Sequence, residues 1–299
     1  MPAENRLLGE VSESNESESG TKNVRERKKK KCRRSKSNRN SSKPLRIMYA
    51  NIQGIRGKMT SLEYVMSTCN ADIVLLAETM TKNVKIKGCE CINPITSVGQ
   101  NVSVVLRGRC TSNRKMKIFE PNESINMMGV RVEVQGWALR LYTAHLKQQS
   151  GNSRDDIKVQ FDEIKMQFKS AAIGQEPMLL IGDANVHVGG DVITGCSDVQ
   201  DWAGKELWSM LQEEGLLLIN AMDKCSGIIT RIDPRDGSVS TLDLAICNVY
   251  MMDQVNKMTI DEEGDLKLKN YGKMTESDHN TITMDIELPL IKKEVNKKI

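Results

Sequence analysis

LRIMYANIQGIRGKMTSLEYVMSTCNADIVLLAET, residues 45–79, is the stretch that decides the fold. LRIMYANI (45–52) is largely apolar and reads as a buried strand. KMTSLEYVMSTC (58–69) places Leu62, Val65, Met66 and Cys69 on one helical face, and DIVLLAE (72–78) is a second buried strand. A strand, a helix and a strand therefore open the folded region at Leu45.

The same patterns continue outward from this unit. VSVVLRG (102–108), MMGVRVEV (127–134) and WALRLYTAHL (137–146) read as strands, the last two forming a hairpin across a Gln135-Gly136 turn. RDDIKVQFDEIKMQFKS (154–170) aligns Ile157, Phe161, Ile164 and Phe168 on one helical stripe, with acids early and lysines late, and Gly174 to Pro177 ends it before the strand MLLIG. A second amphipathic helix at 203–214, carrying Leu207, Met210 and Leu211, runs into LLLIN. A turn-rich stretch around DPRDG follows, then the strands TLDLAIC (241–247) and TITMDIEL (281–288). Helices and strands alternate irregularly and hairpins occur among them, so the pattern predicts mixed α/β architecture with helix-covered sheets rather than a doubly wound parallel sheet. No internal repeat is visible.

Composition excludes several classes. The chain has 299 residues, 39% hydrophobic, enough for a sizeable core. Its net charge of +4 hides an uneven distribution: residues 1–44 carry +7, residues 45–290 carry −6, and residues 291–299 carry +3. A body that grips nucleic acid over its whole surface is thus disfavoured, and phosphate attraction must come from the tails or a local site. No stretch is apolar enough for a membrane span, and Glu4, Glu10 and Glu13 stand where a signal peptide would be apolar, which implies a soluble, intracellular protein with no membrane partner. Eight scattered cysteines without a C-x-x-C pair, beside three histidines, argue against a zinc site and for unpaired, mostly buried thiols in a reducing compartment. The N-x-S sequons at Asn101 and Asn122 carry no weight without secretion. Residues 1–44 lack apolar spacing and contain VRERKKKKCRRSKSNRNSSKP, so they read as a disordered basic tail: a solubility tail, a nuclear localisation signal or a nucleic-acid arm. The run favours a nuclear location.

The polar residues that interrupt the apolar strands carry the chemistry. Asn51 and Glu78 end the first two strands, His145 lies near the end of the hairpin strand, and Asp183 and Asn185 follow MLLIG. Asp243 lies inside STLDLAIC, and Asp278-His279 precedes TITMDIEL. Each alone has a local explanation as a turn former or cap, except Asp243, since a carboxylate among Leu, Leu, Ala and Ile needs a partner if buried. Gathered at one sheet rim, carboxylates, amides and two histidines suit a hard cation such as Mg²⁺, with Mn²⁺ as the alternative, and a phosphate substrate. GDANVHVGG lacks the lysine of a phosphate-binding loop, and no G-x-S-x-G elbow is present, which disfavours nucleotide-driven phosphoryl transfer and serine hydrolysis.

ANIQGIR (50–56), DIVLLAET (72–79), IGDANVHVG (181–189), STLDLAI (240–246) and SDHNTI (277–282) resemble, in order and spacing, the motifs of the endonuclease/exonuclease/phosphatase superfamily, across residues 45–290. Within it the chain looks most like the endonuclease domain of non-LTR retrotransposons. The resemblance implies a four-layer α/β sandwich, two packed sheets with helices outside, and metal-dependent phosphodiester hydrolysis, with nucleic acid, DNA first, as partner. It makes Glu78 the main Mg²⁺ ligand, with Asn51 ordering metal and phosphate and Asp278 beside the metal and His279. Asp183 matches the acid that orients or deprotonates water, Asn185 the amide on the phosphate, Asp243 the acid that fixes His279, and Thr230 a substrate-binding threonine of the retrotransposon branch.

Three positions depart from that branch. His145-Leu146-Lys147 stands where Tyr followed two residues later by Pro is usual, and is closer to the T-H-L of nuclease, deadenylase and phosphatase branches, in which the His contacts phosphate. Ala184 replaces the usual aromatic and Met80 the Trp that often follows E-T, and 4% aromatic content leaves few stacking platforms. His187, between two valines on a loop, reads as structural. Three functions follow: a retrotransposon-type DNA endonuclease, a phosphoesterase acting on RNA or a small phosphorylated molecule, or a catalytically silent binding protein. With no reverse-transcriptase domain before Ile299, the chain reads as a domesticated, truncated or free-standing copy.

Overall fold

The 45–79 stretch folds into β1 (Leu45–Asn51), α1 (Met59–Thr68) and β2 (Ile73–Ala77), the two strands parallel with Asn51 opposite Ala77. The computed structural model describes residues 43–94, 102–108, 117–123, 127–134 and 136–289, residues 117–123 by backbone alone. These belong to one compact unit, Ser42–Ile299. The basic tail, apart from Lys43 and Pro44, lies outside the described residues, as do the 291–299 end, Cys32, Asn101, Cys110, Gln135 and the Asn122 side chain.

Numbered in chain order, the strands form two large mixed sheets. One has seven strands in the order β10 (Cys225–Ser226), β14 (Val255–Ile260), β17 (Ile282–Ile286), β1, β2, β4 (Ser103–Arg107), β3 (Cys89–Ile92). The other has six: β5 (Lys117–Glu123), β6 (Met127–Val134), β7 (Trp137–His145), β8 (Met178–Asp183), β13 (Asp243–Cys247), β9 (Leu217–Leu218). Two small hairpins, β11 (Arg231–Ile232) with β12 (Val239–Ser240) and β15 (Lys269–Asn270) with β16 (Thr275–Glu276), complete the strands. Strands β6 and β7 pair antiparallel, the expected hairpin, with Gly136 at φ +88° in its turn.

The period-two alternation of side chains explains the layers. Leu45, Ile47 and Tyr49 of β1, Ile73 and Leu75 of β2, Leu139 and Leu141 of β7, Leu179 and Ile181 of β8 and Ala245 and Cys247 of β13 meet in one buried cluster between the sheets. The other parity faces helices. Met48, Ala50, Val74 and Leu76 pack on Leu62, Val65 and Met66 of α1, and Leu180, Leu244 and Ile246 pack on α2 (Arg154–Ile173) and α3 (Trp202–Glu213) through Phe161, Ile164 and Leu207. This is a four-layer α/β sandwich. Each fully buried Leu, Ile or Val contributes about 1.5–3 kcal/mol, so three such layers amply hold the scaffold.

Local signals set the helix ends. Ser153 caps α2 with a reciprocal box to Asp156, and Gly174 closes it. The helix runs three residues past the expected end, because Ala171 is still buried, and Lys169 is therefore no longer in its last turn. Asp201 caps α3 through the Gly204 N–H, and a Cβ on Gly204 would meet the His187 carbonyl oxygen at 1.9 Å, which lets this helix press against the loop after β8. The thiols differ from expectation: all six described cysteines are free, but only Cys69 and Cys247 are buried, since Cys89 and Cys91 lie on an edge strand and Cys196 and Cys225 next to loops. Among the described residues no helix is long and apolar enough to cross a membrane.

Candidate active site

The inward-facing columns of the inter-sheet core end in polar residues at one rim. After Leu45, Ile47 and Tyr49 the next inward position of β1 is Asn51; after Leu179 and Ile181 of β8 it is Asp183; after Leu139 and Leu141 of β7, with Thr143 between, it is His145. Register brings them together. Parallel β7 and β8 set His145 beside Asp183, and antiparallel β13 sets Asp243 beside Asp183 from the other side. On the facing sheet, Asn51 and Ala77 are paired, so Glu78 follows at the same rim, and antiparallel β17 delivers the Ser277–Asn280 segment that precedes it.

The side chains form one connected network. Asn51 Nδ2 donates to Glu78 Oε1 at 2.8 Å and to Asp183 Oδ2 at 3.0 Å. His145 Nε2 lies 3.1 Å from the same Glu78 oxygen and 3.7 Å from Asp183 Oδ2. His279 Nδ1 is 2.7 Å from Asp243 Oδ2, and its Nε2 is 3.8 Å from Asp183 Oδ2 and 3.6 Å from Asp278 Oδ1. Asp243, fully buried, receives the Tyr49 hydroxyl on its other oxygen at 2.7 Å, which answers the need for a partner. Asn185 turns back so that its N–H donates to Asp183 Oδ1 at 3.0 Å, while its amide donates to Leu146 O at 2.8 Å and lies 3.5 Å from His145 Nε2.

Backbone strain gathers on the surrounding loops. Of seven non-glycine residues with positive φ among those described, Gln53 (+45°), Glu78 (+50°), Met80 (+51°) and Asn185 (+51°) flank the site. Such a conformation costs on the order of 1 kcal/mol or more per residue and persists where surrounding bonds over-determine it.

Burial and opposing charges split the acid–base character of the group. Burial and the neighbouring Asp243 push the Asp183 carboxyl up to about 6. Burial also disfavours charge on His279, but Asp243, by charge and hydrogen bond, outweighs it with help from Asp183 and Asp278 and lifts this imidazole to about 9. His145 is raised as well: burial opposes its charge, and the Glu78 hydrogen bond and Asp183 overcome that. Glu78 moves down, since the bonds from His145 and Asn51 exceed the effect of burial. Two histidines able to hold protons thus face two carboxylates of different basicity.

Glu78, Asp183 and His279 each present a ligand atom within 4.8 Å of the others. The carboxylates fit a hard divalent cation. His279 fits less well, because its Nδ1 is committed to Asp243 and its raised basicity keeps a proton at neutral pH. Asn51 faces the gap with Nδ2 and accepts the Gln53 N–H on Oδ1 at 3.3 Å, so it can offer an oxygen to a cation only if its amide turns over.

No protein-family model and no curated protein matches the sequence. Solved structures do. The endonuclease domain of TRAS1, a telomere-specific non-LTR retrotransposon, superposes with a TM-score of 0.63 and 21% identity over 82% of this chain and 99% of that one. An AP endonuclease from Leishmania major gives 0.63 and 12% over 83% and 89%, and a mannosyl-6-phosphatase from Bacteroides thetaiotaomicron VPI-5482 gives 0.58 and 13% over 82% and 100%. The chain has the endonuclease/exonuclease/phosphatase fold.

Within this fold, seven of the nine residues anticipated from sequence come together: Asn51, Glu78, His145, Asp183, Asn185, Asp243 and His279 share the network above. Asp278 lies at its edge with both oxygens taken, Oδ1 by Gln53 Nε2 and Oδ2 by Arg231 Nε at 3.0 Å, and so stands apart from the Glu78–Asp183 gap. Thr230 is fully buried behind the rim, where its hydroxyl accepts the Leu242 and Asp243 N–H groups at 2.8 and 3.0 Å. That position supports Asp243 rather than an open substrate face. His187 lies on the loop after β8, outside the network, with its Nδ1 3.2 Å from Asp198 Oδ2.

Four supporting residues escape a reading of the sequence. Tyr49 hides in an apolar strand, although a buried phenol requires a partner and its inward parity points to one. Ser277 accepts the His279 N–H and donates to Asn51 O at 2.7 Å, tying the segment before β17 to the end of its neighbour β1 at the rim of one sheet. Gln53 and Arg231 hold Asp278 from 225 and 47 residues away, a separation that no local pattern reveals.

Proposed function

We propose that the chain is a Mg²⁺-dependent phosphodiesterase that nicks DNA, of the non-LTR retrotransposon endonuclease type. The observation that supports this most is the meeting of the Asp243–His279 pair with Asp183, Asn51 and Glu78 at one rim. A divalent ion held chiefly by Glu78, Mg²⁺ or Mn²⁺, would supply Lewis-acid stabilisation of charge on phosphate and leaving oxygens. The protein's own groups do the rest. Asp183, with a carboxyl near 6, orients the attacking water and takes its proton at neutral pH. His279, fixed by Asp243 and charged below about 9, turns its Nε2–H toward the phosphate oxygens as negative charge builds there. Asn51, Asn185 and His145 add donors to the same oxygens, and Thr230 and Tyr49 hold Asp243 in place.

His145 favours a second reading. It sits against Glu78 at 3.1 Å where the retrotransposon branch carries Tyr, which suits a phosphoesterase acting on RNA or a small phosphorylated molecule. One experiment separates these: supercoiled plasmid, abasic duplex, oligo(A) RNA and phosphoinositide assayed in parallel with Mg²⁺ and with EDTA. Plasmid nicking that EDTA abolishes is the expected result. Hydrolysis of oligo(A) or phosphoinositide alone selects the second reading, and turnover of none of the four means a silent binding protein.

The basic tail of residues 1–44 and the 291–299 end add non-specific phosphate contacts in this account, and the tail directs the protein to the nucleus. Deleting residues 1–44 should flatten the salt dependence of binding to long DNA, by about 0.9 in log-log slope per lost contact, and leave cleavage of a short duplex intact.

A further inference from the structure

Asp278 is an acid at this rim with both oxygens already partnered, one of them by a guanidinium. Arg231 Nε donates to its Oδ2 at 3.0 Å, Gln53 Nε2 donates to its Oδ1, and its own N–H donates back to Gln53 Oε1 at 3.2 Å. Glu78 differs: the groups on its Oε1 are an amide and an imidazole, neither of which carries a fixed charge. A guanidinium cannot give up its proton to make way for another cation, and charge-assisted bonds of this kind are strong.

The backbone holds Arg231 in that position. Arg231 forms a β-bridge with His279, the Ile232 N–H donates to Asp278 O at 2.9 Å, and the Asn280 N–H donates to Thr230 O at 2.7 Å, so the β11 segment is sewn to the Asp278–Asn280 segment. The far side of the guanidinium is fixed too, by Nη2 to Asp233 Oδ2 at 3.2 Å, and Asp233 is held in turn by Arg235 through Nε at 2.9 Å and Nη2 at 2.6 Å. The Asp278 side chain is 9% exposed and that of Arg231 28%, so their pairing is shielded from water far more than a surface ion pair.

We propose that Arg231 takes the place of a second cation at Asp278, so that the site holds one divalent ion, on the Glu78 side. The inference rests on the metal-dependent reading above and deepens it. Two-metal hydrolases clamp attacking and leaving oxygens between paired ions; here a guanidinium fixed on the protein neutralises Asp278, the acid on the far side of His279 from Asp183.

Calorimetric titration of the metal-free full chain with Mn²⁺, with Mn²⁺ electron paramagnetic resonance as an independent count of bound ion, tests it. The wild type should bind one ion per chain. Glu78→Gln should weaken that site by at least about tenfold, Asp278→Asn should change it by no more than about twofold, and Arg231→Met should add a second, weaker site that the further change Asp278→Asn removes. Two ions on the wild type, or an Asp278→Asn loss as large as that of Glu78→Gln, would overturn the proposal while leaving metal-dependent hydrolysis standing. A folded Arg231→Met chain that still binds a single ion would also overturn it. If Arg231→Met fails to fold, Arg231→Gln, which removes the charge and keeps a hydrogen-bond donor for Asp278, takes its place and should likewise add a second site; a single ion on that variant would overturn the proposal. A wild type that binds no Mn²⁺ would instead sink the metal-dependent reading, and this inference with it.

Discussion

At the start of β8, Glu176 accepts hydrogen bonds from Arg131 Nε at 2.7 Å and Arg140 Nε at 2.6 Å, and these overcome burial to hold its carboxyl below the usual range. At the strand's other end, seven residues on, Asp183 stands beside Asp243 in the register of the sheet, with His145 and His279 3.7 and 3.8 Å away, and its carboxyl is raised to about 6. One end is arranged for an acid that stays ionised and ties strands together. The other crowds acids where burial makes their charge costly. The difference teaches that the rim is not arranged for stability alone: a stable fold would pair Asp183 as it pairs Glu176, and on the proposed phosphodiesterase reading this strain is what gives the site a basic carboxylate.

The largest effect that sharpens this contrast is on catalysis. His279→Ala should lower Mg²⁺-dependent cleavage by about 10² or more, because it removes the charged donor that Asp243 aligns. Glu176→Gln, measured in the same assay, should leave the rate within about twofold, since the pair lies at the opposite end of the sandwich from the chemistry.

The second effect concerns pH and metal-free stability. Because the Asp183 carboxyl is raised above its unfolded value near 3.9, folding binds its proton: the penalty is absent below about pH 4, grows as pH rises to about 6, and is complete above that. Asp183→Asn should therefore gain on the order of 2–3 kcal/mol over wild type across that interval, read from denaturant melts at pH 4, 5, 6 and 7. Glu176 runs the other way and is the smaller effect. Its contribution, about 1 kcal/mol, is present above its unfolded pKa near 4.3 and is lost as pH falls through its lowered folded value, so Glu176→Gln should destabilise at pH 7 and progressively less as pH falls below about 4. A shared direction for the two variants would break the comparison.

Much of this was legible in the sequence because period-two strands with polar ends announce both a sheet and its rim. Asn51, Asp183 and Asp243 stand out only against the apolar runs they terminate. The missed elements lack that contrast. β14 pairs with β17 through a bulge between Val255 and Lys257, which leaves Asn256 and Lys257 both exposed and breaks the alternation. β3 is a four-residue edge strand with no fully buried side chain. Tyr49, Ser277, Gln53 and Arg231 serve the site through partners on other strands, and the pairing that brings them close exists only in the folded chain. Thr230 shows the converse: its motif was recognisable, yet its hydroxyl faces backbone N–H groups.

The central claim is that one inward column of β8 is core at Ile181 and chemistry at Asp183, two residues apart on the same face. Plasmid nicking with Mg²⁺ and the thermal midpoint at pH 7, both measured for Ile181→Ala and Asp183→Asn, test it directly. Ile181→Ala should lose about 2–5 kcal/mol of stability and keep its cleavage rate per folded molecule, whereas Asp183→Asn should lose cleavage by about 10² or more with a midpoint no lower than wild type. Undiminished nicking by Asp183→Asn, or a fall in its midpoint to match Ile181→Ala, would contradict the account.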